Sequence, residues 1–278
     1  MTTECLLCGH KKAHKHGKTA KGIQRYRCPK CIQTFPENIG TLYYNRHLSP
    51  QEVHLILQSH AEGSSLRGVS RISGRAYNTV VSLIRDASVK AQMIHNGKIK
   101  QVNTSEIISD EMWSFIFKKQ KNCTTEDLMM GDCWIGISLA SDSGLIIAAR
   151  VGKHTDSFLE ELLVNTEGKT DCKSWNTDGW GGYERILGEE YEHYIGKERT
   201  QRLERTNGIV RQQTGKWHRR QNKFGKIWQQ TEITARLIVS YFNWIWSNIR
   251  CGTTAAQRAG LTSRQWSWND LVSYPTVF

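Results

Sequence analysis

The chain has 278 residues, enough for one large domain or two to three small ones and for a proper core. It is 38% hydrophobic and 23% charged, with mean hydropathy −0.54. No apolar run reaches the roughly 18 residues of a transmembrane helix, and Met1-Thr2-Thr3-Glu4-Cys5 lacks the apolar stretch of a secretory signal. No membrane association and a cytoplasmic location are therefore expected. Four prolines speak against a disordered chain. Lys plus Arg number 38 against 26 Asp plus Glu, a net +12. Residues 1–48 carry nine basic and two acidic side chains, 49–196 carry 15 and 20, and 197–226 carry ten and two. Two basic blocks flanking an acidic middle suggest a polyanion partner and a metal held by the acids.

The chain opens on Cys5-x2-Cys8 and Cys28-x2-Cys31, separated by 19 residues. Each pair can grip one side of a tetrahedral Zn²⁺, with Gly9 and Pro29 shaping the knuckles. This predicts a zinc ribbon over 1–46. Lys11, Lys12, Lys15, Lys18, Lys21, Arg25 and Arg27 form a basic tongue between the pairs, with His14 and His16 as exposed polar groups.

Ser49-Pro50 then starts a helix, with Val53, Ile56 and Leu57 inward. Ser64-Ser65 caps a second helix, Leu66 to Ile72, and Ser73-Gly74-Arg75 forms a turn. A third helix is predicted from about Ala76 to Val89, with Val80, Leu83 and Ile84 buried. Such spacing places a last helix in a major groove, so 47–95 is expected to be a helix-turn-helix DNA-binding domain. Arg75, Asn78, Thr79 and Arg85 are its candidate base and backbone contacts. A helical hairpin used for packing or dimerisation is the other reading. His95-Asn96-Gly97-Lys98 reads as the start of a linker extending over 96–106.

From Ile107 the pattern changes to strands: Ile107 to Phe117, Cys133 to Ala140 and Leu145 to Val151, with a tight turn at Ser141-Asp142-Ser143-Gly144. A helix Asp156 to Val164, a strand Lys173 to Thr177, a helix Gln201 to Gln213 and a long helix Ile227 to Ile249 follow. The order β-β-β-α-β-α-α is an α/β arrangement with a mixed sheet. Asp110 and Glu111 lie inside the first strand, where burial of a charge needs compensation. Neighbouring strand residues point to opposite faces, so only one of the two is expected to face a given site. Asp178 ends the fourth strand before Gly179, Gly181 and Gly182, and Glu204 lies on the next helix among arginines. Carboxylates so placed can converge on two Mg²⁺ ions, or Mn²⁺ in their place, for phosphoryl transfer. Surface or capping carboxylates are the alternative. Tyr183 is expected to be a packed aromatic rather than a nucleophile, and Asp156 a helix cap.

The Cys pairs, the three helices, Asp110-Glu111-Met112-Trp113-Ser114-Phe115, Thr177-Asp178-Gly179-Trp180-Gly181-Gly182-Tyr183, Leu203-Glu204-Arg205-Thr206-Asn207, Arg211 and Thr214 to Lys223 together resemble transposases of the insertion-sequence-one family. The resemblance covers nearly the whole chain. It implies an RNase H-like DDE catalytic domain over 107–278, with Asp110, Asp178 and Glu204 as catalytic, magnesium-holding acids. Beside the resemblance, Asn207 and Arg211 are read as contacts to phosphate or base near the scissile bond, and Lys216, Trp217, His218, Arg219, Arg220, Lys223 and Lys226 as a basic segment that tracks the DNA, with Trp217 able to stack on an unpaired base; a surface basic loop is the alternative. The implied function is binding of terminal inverted repeats, strand cleavage and strand transfer on double-stranded DNA by a homodimer or larger homo-oligomer. A non-catalytic transposition repressor and a structure-selective nuclease are the rival readings. The family commonly joins its DNA-binding and catalytic halves by frameshifting, whereas this chain is continuous.

Overall fold

A computed structural model describes residues 3–217 and 223–276. Strands β1 (His14–Lys18), β2 (Gln24–Arg27) and β3 (Thr34–Pro36) form a small antiparallel sheet in that order. Its own buried apolar cluster is only Cys5, Ala13, Cys28 and Phe35. Three helices follow. Ser49 and Glu52 form a capping box on α1 (Pro50–Ala61), and Ser65 caps α2 (Leu66–Ser73), which Gly74 ends at φ +65°. The third, α3 (Tyr77–Lys98), runs past the expected end at Val89 and into the first residues of the stretch expected to be a linker. Ala87, Ala91 and Ile94 continue its buried stripe at helical spacing, and the buried His95 ring meets the Ile147 carbonyl at 2.8 Å. Ile99 and Val102, just beyond, are buried as well.

The main sheet contains β4 (Ile107–Ile116), β5 (Gly131–Ala140), β6 (Ile146–Gly152), β7 (Ser174–Thr177) and β8 (Glu192–Ile195). Its order is β6-β5-β4-β7-β8. The first three strands run antiparallel, while β7 joins β4 and β8 joins β7 in parallel. Helices α4 (Asp156–Glu167), α5 (Gly182–Ile186), α6 (Lys197–Thr214) and α7 (Trp228–Ser240) flank it, completing an α/β fold with a mixed sheet. Helices α8 (Ala255–Arg258) and α9 (Trp268–Ser273) close the described chain. Phe158 seats α4 on the sheet over Gly136 and Gly152, where a Cβ would lie 2.8 and 2.3 Å from its ring.

Two elements depart from the sequence reading. The long helix expected over Ile227 to Ile249 stops at Ser240 and passes into a π-helical turn, Tyr241–Ile245. That turn brings the buried Asn243 amide to β6, where it accepts from Ile146 N and donates to Ile146 O, both at 2.9 Å. Strand β8, unforeseen, is a sheet edge with Tyr194 and Ile195 exposed, so it lacks apolar alternation. One contiguous apolar core extends from Leu42 and α1–α3 through the sheet to α7 and α9. Among the described residues, no helix is long and apolar enough to cross a membrane.

Candidate active site

The site forms where the middle of the sheet opens. β4 pairs with β7 only over Ile107, Ile108 and Ser109, so Asp110 is the first β4 residue beyond the parallel ladder. Asp178 is the first residue after β7. The carboxylates of Asp110, Glu111 and Asp178 all lie within 4.8 Å of one another. The expectation that Asp110 and Glu111 would be separated by the strand is corrected here. Their Cβ atoms do alternate, but β4 has no partner on this edge between Ser109 and the Ile116–Gly225 bridge, and the two carboxylates come together at that gap.

Each acid has its own holder. On one side, Asn207 of α6 donates from Nδ2 to Asp110 Oδ2 at 3.0 Å. On the other, the buried Tyr183 hydroxyl of α5 donates to Glu111 Oε1. Tyr183 is thus packed, as expected, and also hydrogen-bonded to an acid. The Trp180 amide donates to Asp178 Oδ1 at 3.0 Å, a bond made possible by the glycine-rich turn. Burial raises the Asp110 carboxyl above its usual range; the Glu111 amide opposes this and the Asp178 charge adds to it, while Arg211 draws it down. Burial pushes Glu111 up to about 8; the Tyr183 hydroxyl opposes this and the Asp110 and Asp178 charges reinforce it. Mutual repulsion in a desolvated cluster is what a divalent cation relieves, so these oxygens suit a hard metal ion.

Glu204 stands apart from this trio: its carboxylate accepts from Thr200 Oγ1 at 3.2 Å on the exposed flank of α6. It lies one helical turn before Asn207, on the same side of the helix. Beside Asp178, the His154 ring is sandwiched between Trp134 and Trp180, with centroids 4.2 and 3.5 Å away.

The other site residues fall in three places. Asn78 and Arg85 are exposed on α3 and Thr79 is half-buried, while Arg75, just before the helix, pairs with Glu52 through Nε at 2.6 Å. Trp217 is only 6% exposed, so its ring is packed rather than free to stack. It lines a cavity of about 560 Å³ together with Arg67, Arg85, Lys216, Lys223 and Lys226. That cavity joins the three-helix region to the segment after α6. Burial and the neighbouring Lys223 bring the Lys216 ammonium down to about 7. His218, Arg219 and Arg220 lie outside the described residues.

The four N-terminal cysteines also converge. Cys5 and Cys31 sulfurs are 3.8 Å apart, Cys8 and Cys28 sulfurs 3.6 Å, and all four Sγ atoms lie within 4.8 Å of one another. A tetrahedral ion about 2.3 Å from each sulfur sets such pairs about 3.8 Å apart, so the set fits zinc.

A family model described as IS1 transposase matches residues 106–246, from the approach to β4 through the π-helical turn. The chain belongs to the IS1 transposase family. The matched segment holds the carboxylate trio, Glu204 and Arg211; the cysteines and the first three helices precede it. Insertion element IS1 protein InsB of Shigella sonnei is 28% identical over 134 residues, covering 48% of this chain and 91% of that protein. Insertion element IS1 9 protein InsB of Escherichia coli K12 shows the same identity and covers 71% of its length. Among solved structures, the catalytic core domain of BIV integrase aligns with a TM-score of 0.37 and 14% identity, over 56% of this chain and 93% of that one.

Proposed function

We propose that this IS1-family transposase binds the ends of an insertion sequence, cleaves a DNA strand at each end and joins the freed 3′-OH to target DNA. The observation that carries this reading is the carboxylate trio at the open edge of β4, inside the segment that defines the family. Asp110 and Asp178, with Glu111 beside them, would hold divalent metal, and Glu204, now bonded to Thr200 on the exposed flank of α6, would join them by a change of rotamer. Asn207 fixes the rotamer of Asp110, the Trp180 amide fixes Asp178, and Tyr183 keeps Glu111 oriented towards the cluster. Arg211, whose charge acts on Asp110, faces the phosphate under attack. Divalent cations, when bound, acidify water or a 3′-OH and neutralise the pentavalent phosphorus centre.

The cysteine cluster holds structural zinc and sets the basic tongue, with Lys18 and Lys21, against DNA phosphates. The α1–α3 unit works as a helix-turn-helix, presenting Asn78, Thr79 and Arg85 to the repeat, with Arg75 at its start. Lys216, Lys223 and the cavity around Trp217 continue that surface towards the carboxylates, and Arg219 and Arg220 belong to the same segment. Joining two ends in one complex calls for a homodimer or larger assembly.

The deciding experiment replaces Asp178 with Asn in the full chain and follows cleavage and strand transfer of repeat-ended DNA in Mg²⁺. A loss on the order of 100-fold or more, with DNA binding and circular dichroism retained, is expected. Wild-type cleavage by Asp178→Asn removes the mechanism.

A further inference from the structure

Helix α6 has a second functional face. At 100° per residue, Glu198, Arg202, Arg205 and Ile209 lie on the side opposite Asn207, the residue that holds Asp110. That reverse side lines a cavity of about 480 Å³, to which Arg199, Arg250 and Arg258 also contribute. Arg199 is paired with Glu106 at 3.2 Å. Among the described residues, Arg202, Arg205, Arg250 and Arg258 form no ion pair with a carboxylate. The acids nearby are Glu198, on the cavity wall, and Asp142, close enough to Arg202 to feel its charge. The Asp142 oxygens are engaged by Ser105 N at 2.6 Å, Ser105 Oγ at 2.9 Å and Thr104 Oγ1 at 3.1 Å.

Two of the arginines, Arg202 and Arg258, are held in place rather than loose. Arg258 donates from Nε to Ser143 O and from Nη1 to Thr253 O, each at 2.7 Å. Arg202 donates from Nη1 to Ser141 O. Both therefore grip the β5–β6 turn and leave their Nη2 groups facing the same spot. A Cβ built on Gly144 would lie 3.2 Å from Arg202 Nη2 and 3.5 Å from Arg258 Nη2. Two anchored guanidinium groups side by side, with spare donors and no carboxylate between them, match the fork geometry that recognises phosphate.

We propose that this arginine-lined cavity binds the phosphodiester backbone of a second DNA segment, separate from the strand at the carboxylates. Asp110 and Asp178 sit on the Asn207 side of α6. The cavity opens on the other side, across a helix about 10–12 Å wide with its side chains. This inference rests on the transposase reading: cleavage needs one DNA segment and joining needs two. The cavity is placed to hold the one that is not being cut.

The test uses the full chain and fluorescence anisotropy in EDTA with a random-sequence duplex about three helical turns long. The variants are Arg202→Gln with Arg205→Gln and, should loss of the Ser141 bond disturb folding, Arg205→Gln with Arg250→Gln. Affinity is expected to fall about tenfold at physiological salt, and the dependence of log K on log salt to flatten by about 1 to 2. In Mg²⁺, cleavage of a DNA end continues while joining to a second duplex drops. Wild-type binding and joining by both variant pairs overturns the inference. So does binding of inorganic phosphate that the duplex cannot displace, or loss of self-association with DNA binding intact. Binding in EDTA does not depend on chemistry. Activity retained by Asp178→Asn therefore overturns the transposase mechanism alone, and unchanged anisotropy overturns the second DNA site alone.

Discussion

His95 sits in the core with 4% exposure, its Nε2 against the Ile147 carbonyl. Burial, reinforced by the charge of Lys169, brings its pKa down to about 4 from an ordinary 6.5. The folded protein keeps this ring neutral, whereas the unfolded chain takes up a proton near pH 6.5. The sign follows: the stability is fully present above about pH 6.5 and is lost as pH falls towards 4. The total is about 3 kcal/mol. The buried His60 acts in the same direction, since burial and Lys216 also hold it well below its usual value. Because Glu111, pushed up to about 8, works with opposite sign over the same window, the readout is a difference: the urea stability of wild type relative to His95→Gln should fall between pH 7 and 4 by about the His95 share. An unchanged pH profile in that variant would show that His95 is not the titrating group. Glu111 has the opposite tendency, being raised by burial. Its partners explain why the strand tolerates two adjacent acids: Tyr183 and Asn207 each satisfy one, from opposite faces.

The elements differ in how much of their stability is their own. The sheet β1–β3 encloses a handful of side chains, too few to hold a fold without a staple. Metal removal should therefore open this unit while the rest of the molecule stays folded. Treatment with a strong zinc chelator is expected to expose the tongue around Lys18 and Lys21 to trypsin, with little change in helical circular dichroism. Persistence of the uncut tongue after complete chelation would sink the zinc assignment. What sequence could disclose about such elements follows a physical division. The Cys pairs have a local spacing rule, and Asp110 and Asp178 sit at strand positions that pattern alone locates. Alternation along β4 predicts that only one of Asp110 and Glu111 faces a given site; that both reach Asp178 depends on the gap β7 leaves beside β4 after Ser109, which only the topology reveals. The end of α3 was hidden because its stripe is carried by Ala87 and Ala91, which score weakly as apolar. The π-helical turn arises from a long-range pairing of Asn243 with Ile146, and β8 from its position at the edge. Neither leaves a periodic trace.

At the scale of the whole molecule, the helices before β4 and the main sheet share one apolar core among the described residues. Val80, Leu83, Ile84 and Ala91 belong to the same apolar core as Ile135, Leu237 and Ile238. Polar ties cross the same boundary: Trp268 Nε1 donates to Gln58 Oε1 at 2.7 Å, and the Tyr241 hydroxyl to Glu62 Oε1 at 2.6 Å. Lys90, buried on α3, donates to Gly40 O at 2.6 Å, to Thr276 Oγ1 at 2.9 Å and to Tyr274 O, tying the segment before α1 to the last described residues. A fragment comprising residues 96–278 therefore strips α7 of its packing partner and uncovers a continuous apolar face. Such a surface favours association over a monomeric fold. The fragment should bind a hydrophobic dye, sediment as aggregate and lack a cooperative thermal transition, whereas the full chain melts its helices and sheet together. Adding residues 1–95 in trans should restore solubility, because the lost contacts are noncovalent. A soluble 96–278 fragment with a sharp transition of its own would show that the two halves are independent domains that merely touch.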